Sequence, residues 1–203
     1  MKVEPALIIF ARNPALGKGK TRIAADSNPE KALEIYHSLL EHTHDLALLF
    51  QGTKHVFYTS FIDQNDLWTP DHFTKNLQTG EDLGDRMNNA FHQVAENHQK
   101  ILIIGSDCPY LTVEDLDLAL LKLDETDLVL GPAEDGGYYL LGLKEPDKNI
   151  FRNIDWSTNR VLTQTLAAAE SVKKTYTLLR ELNDIDTIKD WEEFKSYSKN
   201  QPT

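Results

Sequence analysis

The chain has 203 residues, 40% of them hydrophobic, and carries 32 acidic against 21 basic side chains for a formal net charge of −11. This composition excludes a fibrous or disordered chain and suits a single domain over residues 1–203, and the acidic balance argues against nucleic acid or an anionic membrane as a partner. The one cysteine, Cys108, excludes an internal disulfide and a multi-cysteine metal site.

No apolar run approaches the roughly 20 residues needed to cross a bilayer. The short apolar stretch Ala6 to Ala11 leads into a basic loop without a cleavage signature, so it reads as a first strand in a cytoplasmic protein. From Pro5 to Ala25 there is no acid, yet the stretch contains Arg12, Lys18, Lys20 and Arg22. Asn28-Pro29 then suits a helix start, and Ala32, Leu33, Tyr36, Leu39, Leu40, Thr43, Leu46, Ala47 and Phe50 follow at helical spacing until Gly52. His55 to Ser60 is rich in β-formers and predicts a second strand. Phe61 to Pro70 reads as an irregular loop or short helix, and Phe73 to Leu77 as a third strand.

Asp85 to Asn97 predicts a helix with Met87, Ala90, Phe91 and Val94 on one face. Lys100 to Ile104 is the continuous apolar run of a central strand covered on both sides. Thr112 to Leu123 reads as a helix behind a capping signal. Leu128 to Leu130 and Tyr138 to Leu143 predict strands, Thr158 to Ala169 a helix capped by Thr158, Val172 to Leu179 a late strand, and Thr187 to Tyr197 a closing helix. Alternating strands and helices predict an α/β fold with a mostly parallel sheet and helices on both faces.

Several loops carry chemistry. Arg12-Asn13-Pro14-Ala15-Leu16-Gly17-Lys18-Gly19-Lys20-Thr21-Arg22 combines four bases with two glycines directly after a buried strand. Glycines let backbone N–H groups close on an anion, and the bases add charge-assisted hydrogen bonds to phosphate. It is not a Walker loop, because Pro14 stands where the first glycine belongs and Asn28-Pro29 interrupts the required helix; nor is it the dinucleotide loop, because Arg22 replaces the third glycine. Asp107 follows the Ile101 to Ile104 run, at the strand end where open α/β sheets bind ligands. A carboxylate there either caps the next turn or is compensated by a divalent cation such as Mg²⁺ bridging to a diphosphate. In Gly131-Pro132-Ala133-Glu134-Asp135-Gly136-Gly137-Tyr138-Tyr139, Asp135 suits a general base or a polyol contact, and the glycines equally suit a hairpin turn. Gln78 to Met87 reads most simply as an acid-rich helix start. In Asn183-Asp184-Ile185-Asp186-Thr187, Asp186 or Thr187 suits an N-cap, while Asp184 could return to the site as a metal ligand. Trp156-Ser157-Thr158 suggests a helix start, with no chemical role for Trp156.

Taken in order, the loop from Phe10 to Arg22, the Gln78 to Met87 segment, Gly105-Ser106-Asp107-Cys108-Pro109, the Gly131 to Tyr139 loop, Trp156-Ser157-Thr158 and Asp184-Ile185-Asp186-Thr187 resemble the bacterial DUF2064 family of glycosyltransferases, in the nucleotide-diphospho-sugar transferase (GT-A-like) superfamily. The resemblance implies a three-layer α/β/α sandwich with a mostly parallel central sheet. It implies that Arg12, Gly17, Lys18, Lys20 and Arg22 hold the diphosphate, with Gln78 and Gly84 near the nucleobase. Asp107 would hold Mg²⁺ or Mn²⁺, Asp184 would be a second ligand, and Asp135 with Gly136 and Gly137 would face the transferred group or acceptor. Where many members of the superfamily carry Asp-x-Asp, this chain has Asp107-Cys108-Pro109. The implied activity is metal-dependent transfer of a sugar from a nucleotide-diphosphate sugar to a small acceptor. The alternatives are nucleotidyl transfer from an NTP, as in the molybdenum-cofactor guanylyltransferases, or non-catalytic nucleotide binding.

Overall fold

Seven strands in the order β3-β2-β1-β4-β6-β5-β7 form one sheet in the computed structural model, which describes residues 4–199. They are β1 (Ala6–Ala11), β2 (Thr53–Tyr58), β3 (Thr74–Leu77), β4 (Ile101–Ile104), β5 (Leu128–Pro132), β6 (Tyr138–Leu143) and β7 (Tyr176–Leu178). Only β6 runs against its neighbours, pairing antiparallel with both β4 and β5. Among the described residues six α-helices accompany them: α1 (Thr21–Asp26), α2 (Pro29–Leu49), α3 (Leu83–Ala95), α4 (Val113–Glu125), α5 (Val161–Ser171) and α6 (Ile188–Lys199). None of the described helices is long and apolar enough to cross a membrane.

The apolar runs explain the layering. Successive strand residues point to opposite faces, and in β1 Leu7, Ile9 and Ala11 join one core cluster while Ala6 and Ile8 join the other. The first cluster is closed by Leu40 and Leu46 of α2 and by Leu116, Ala119 and Leu123 of α4. The second is closed by Met87, Ala90, Phe91 and Val94 of α3 and by Ala169 of α5. A sheet apolar on both faces needs both covers, which gives the three-layer α/β/α fold. Beside these layers, Ile23 of α1, Ile35 and Leu39 of α2 and Ile185 form a third cluster, against which Trp191 and Phe194 of α6 pack. This cluster clamps the segment after β1 to the segment before α6, an arrangement the site depends on.

Local signals set most boundaries. Asn28 Oδ1 accepts from Lys31 N at 2.7 Å with Pro29 in the first turn, and Asp82 Oδ1 accepts from Asp85 N at 2.8 Å to open α3. Thr112 and Asp115 form a reciprocal capping box on α4. Thr187 and Asp190 do the same for α6, with Asp190 N donating to Thr187 Oγ1 and Thr187 N to Asp190 Oδ2.

Two expectations need correction. The basic loop runs straight into a helix after all: α1 occupies Thr21–Asp26, and Asn28-Pro29 begins a second helix rather than the first. The helix expected from Thr158 starts at Val161. Ser157 holds a left-handed φ of 63°, and Thr158 Oγ1 donates to Asp155 O instead of capping a helix.

Candidate active site

β1 pairs with β2 on one side and β4 on the other, so the chain order reverses between β1 and β4. Loops leaving such a point diverge and open a crevice at the carboxyl ends of the strands. In this protein the crevice is a cleft of about 1320 Å³, bordered by residues that follow β1, β2, β3, β4, β5 and β7.

Tyr36 of α2 fixes the two central loops. Its hydroxyl accepts from Arg12 N at 2.8 Å, donates to Arg12 O at 3.0 Å and lies 3.5 Å from the buried Ser106 Oγ. Burial pushes the Tyr36 phenol up to about 12, so it stays protonated and acts as a tether rather than a base. Tyr36 lies in the apolar stripe of α2, where spacing marks it only as core.

Lys20 closes the connection. It precedes α1 in a left-handed conformation, φ 45° and ψ 42°. Its ammonium lies 2.9 Å from Asp107 Oδ1, 3.8 Å from Asp186 Oδ1, and donates to Ile185 O at 2.5 Å. Arg22 Nη1 pairs with Asp186 Oδ2 at 3.1 Å. Ile185 N donates to Asp107 O at 2.8 Å, which draws the segment before α6 across the β4 loop. The early cationic loop and the carboxylate after β4 therefore meet at one edge of the sheet.

Asp184 arrives with that segment. Its Oδ1 is buried without a hydrogen-bond partner. Burial, reinforced by the charges of Asp107 and Asp135 and opposed by Lys20, raises its carboxyl to about 7. Asp107, Asp135 and Asp184 thus form one electrostatically coupled group. Cys108 has no nucleophilic character: burial, with Asp184 beside it, pushes its thiol far up, and its Sγ contacts Asn183 O at 3.6 Å.

The β5–β6 connection is both a hairpin turn and a cleft wall. Gly136 N donates to Ala133 O at 2.9 Å and Ala133 N to Gly137 O at 3.1 Å. Asp135 Oδ1 accepts from Gly137 N at 2.8 Å, which orients the carboxylate at the cleft. Gly136 has φ 88°, and a Cβ there would lie 2.3 Å from Asn159 O. Gly136→Ala is therefore expected to cost about 2–4 kcal/mol, combining left-handed strain with an overpacked contact, read as a lowered urea midpoint at unchanged slope.

Trp156 borders the cleft from a braced turn. A Cβ on Gly84 would lie 2.6 Å from Trp156 Cζ2, so the indole rests on the first turn of α3 only because that residue is glycine. Asp155 N donates to Gln164 Oε1 at 2.8 Å, Gln164 Nε2 returns to Asp155 Oδ2 at 2.7 Å, and Arg160 pairs with the same carboxylate at 3.0 Å.

Of the residues singled out by sequence, Arg12, Lys20, Arg22, Gln78, Asp107, Asp135, Gly137 and Asp184 border the cleft. Gln78 is held by Nε2 donating to Phe57 O at 2.9 Å. Gly17 and Lys18 border a separate small recess beside Tyr36, and Gly84 and Gly136 lie behind Trp156 and Asn159. Sequence reasoning missed Tyr36, Ser106, Arg86, Trp156 and Asp186 at the cleft. All but Tyr36 lie within the segments that carry the family resemblance, which was the signal available for them.

The charges along the cleft do not balance. Arg12, Lys20, Arg22 and Arg86 face Glu81, Asp82, Asp107, Asp135, Asp184 and Asp186, an excess of carboxylates even before an anionic ligand enters. Carboxylate oxygens are hard donors suited to Mg²⁺ or Mn²⁺, and the orphaned Asp184 Oδ1 is a buried acceptor that a cation would satisfy. Asp107 and Asp184 fit that role. Among the described residues no group of three or more His, Cys, Asp or Glu side chains is arranged to hold a metal. Such an ion would take further oxygens from substrate and water, as Mg²⁺ commonly does.

The profile of one family, described as "Uncharacterized protein conserved in bacteria (DUF2064)", matches residues 39–158, more than half of the chain. No curated protein matches in sequence. Among solved structures, a candidate nucleotide-diphospho-sugar transferase from Desulfovibrio desulfuricans G20 is 27% identical, covering 99% of this chain and 90% of that one with a TM-score of 0.89. CMP:2-keto-3-deoxy-manno-octonic acid synthetase complexed with CTP shares the fold at 12% identity, 97% and 98% coverage and a TM-score of 0.59. Rv0371c from Mycobacterium tuberculosis, complexed with manganese, does so at 10% identity, 98% and 100% coverage and a TM-score of 0.55.

Proposed function

Since the chain belongs to the DUF2064 family of bacterial proteins, we propose that it is a single-domain transferase that uses a divalent cation to move a sugar from a nucleotide-diphosphate sugar to a small acceptor. The observation that carries this reading is the meeting of Lys20 and Asp107 across the β1–β4 crevice, with the charges of Asp107 and Asp135 both acting on Asp184. Arg12 and Arg22 would balance diphosphate charge from the β1 side, and Gln78, fixed on Phe57 O, would border the base. Asp107 and Asp184 would hold Mg²⁺ or Mn²⁺, which supplies charge neutralisation at the departing diphosphate. On the opposite wall, Asp135 keeps Oδ1 on Gly137 N, leaving Oδ2 to take the acceptor hydroxyl proton as that oxygen bonds the sugar carbon and the carbon–phosphate oxygen bond breaks toward the nucleotide. Trp156 with Ser157, Thr158 and Asn159 places an aromatic face beside hydroxyl and amide groups, a surface suited to a sugar or polyol.

Nucleotidyl transfer from an NTP is a second reading, supported by the fold shared with a CTP-bound synthetase. Incubation with NDP-sugars and with NTPs in the presence of Mn²⁺ separates the two by product. The expected result is nucleoside diphosphate released from an NDP-sugar, reduced at least about 100-fold in Asp107→Ala, the scale seen when preorganised charge stabilisation is removed. Pyrophosphate released from an NTP would transfer the assignment to the second reading.

A further inference from the structure

The glycine-rich loop predicts that Lys20 binds phosphate, but the folded chain turns its ammonium onto carboxylates. Lys20 is less exposed than either carboxylate it pairs with, its side chain 7% exposed against 46% for Asp107 and 42% for Asp186. An ammonium has three donors, and Asp107 Oδ1 and Ile185 O stand at 2.9 and 2.5 Å with Asp186 Oδ1 at 3.8 Å. Asp184 receives no hydrogen bond from it, and its buried Oδ1 remains unpartnered. One positive charge thus occupies a site whose carboxylates call for more.

We propose that Lys20 is a displaceable counter-ion, standing at Asp107 where a divalent cation would bind and moving to the diphosphate when metal and nucleotide enter together. The inference rests on the metal and diphosphate part of the proposed function and is independent of the group transferred. Two cations cannot share Asp107 Oδ1 without repulsion, so Lys20 weakens the binding of metal alone. A lysine can make the exchange because its flexible four-carbon stem carries a point charge, unlike the rigid fork of arginine. Gly19, with φ 94°, lies directly before it, a backbone conformation that glycine adopts without steric cost. Once displaced, the ammonium would join Arg12 and Arg22 facing the phosphates. Metal and diphosphate then favour one another through a residue that releases one ligand's site and helps hold the other.

The test compares wild type with Lys20→Met, which keeps the stem and removes the charge. Free Mn²⁺ is titrated by electron paramagnetic resonance, first with Mn²⁺ alone and then with Mn²⁺ and inorganic pyrophosphate. The substitution is expected to tighten Mn²⁺ alone at least tenfold and to weaken the Mn²⁺–pyrophosphate complex by a similar factor. Weaker or unchanged binding of Mn²⁺ alone would show that Lys20 is a permanent strut and overturn the proposal. Should Lys20→Met fail to fold, reductive methylation of the wild type followed by mass spectrometry serves instead. Lys20 should be protected in metal-free protein, label at least fivefold faster with Mg²⁺ alone, and be protected again with Mg²⁺ and pyrophosphate; protection unaffected by Mg²⁺ contradicts the proposal. A protein that passes these tests yet turns over neither NDP-sugars nor NTPs would refute the transferase reading alone.

Discussion

Asp184→Asn is expected to stabilise the metal-free protein at pH 8 and to leave it unchanged at pH 4. Asp184 is partly buried with its Oδ1 enclosed and unpartnered, and Asp107 and Asp135 repel its charge. Its carboxyl is raised from 3.8 to about 7, so the native state holds a proton that the unfolded chain releases. The proton-linked contribution is fully present below about pH 4 and is lost as pH rises through about 7. At roughly 1.36 kcal/mol per unit, the cost of ionising Asp184 in the folded protein reaches up to about 4 kcal/mol. An uncharged amide avoids it. Urea unfolding in the presence of a chelator at several pH values reads the difference between wild type and variant. A constant difference, or one that grows toward acid, would contradict the electrostatic origin.

Arg180→Ala should cost about 2–4 kcal/mol of stability. Asp115 is 6% exposed, and Arg180 grips it with Nε at 2.8 Å and Nη2 at 2.7 Å while reaching Tyr110 O at 3.2 Å. Burial opposes the Asp115 charge, but the hydrogen bonds from Arg180 and Thr112 outweigh it and hold the carboxyl below its ordinary range. Removing one partner of such a pair strands the other, at about 3–5 kcal/mol when both are buried; the half-exposed guanidinium places this case lower. The stability from Asp115 is present above the ordinary carboxylate range and fades as pH falls through its depressed value. Arg180→Ala should therefore cost less in strong acid than at neutrality, as urea unfolding would show. The consequence reaches the site, because Arg180 follows β7 and its carbonyl accepts from Tyr139 at 2.9 Å, so it anchors the segment carrying Asp184. Equal losses at pH 2 and pH 7 would exclude the ion pair as the cause.

What was legible in the chain followed from periodicity and punctuation. The run Ala6 to Ala11 is β1, Tyr138 to Leu143 is β6, and Asn28-Pro29 opens the longest helix. α1 was hidden because six residues between Lys20 and Ser27 hold too few turns to show a period. The start of α5 was misplaced because Trp156-Ser157-Thr158 resembles a cap, while the tight seat of Gly136 on Asn159 keeps that segment in an irregular turn. At the site, both the basic loop and Asp107 were visible, since each follows an apolar strand. Their pairing was not. Nothing in local spacing couples residues 20, 107 and 186, and the three meet because Ile185 packs with Ile23 and Ile35. Tyr36 and Gly84 show the same limit: the hydroxyl that ties two loops and the missing Cβ that seats Trp156 gain their meaning only from packing.

Crystals grown with Mn²⁺ and inorganic pyrophosphate, examined by anomalous scattering from manganese, test the shared cleft directly. The expected peak lies about 2.1 Å from an Asp107 carboxylate oxygen, with pyrophosphate bridging it to Arg12 and Arg22. Manganese and pyrophosphate bound together elsewhere, with Lys20 still on Asp107, would contradict the assignment.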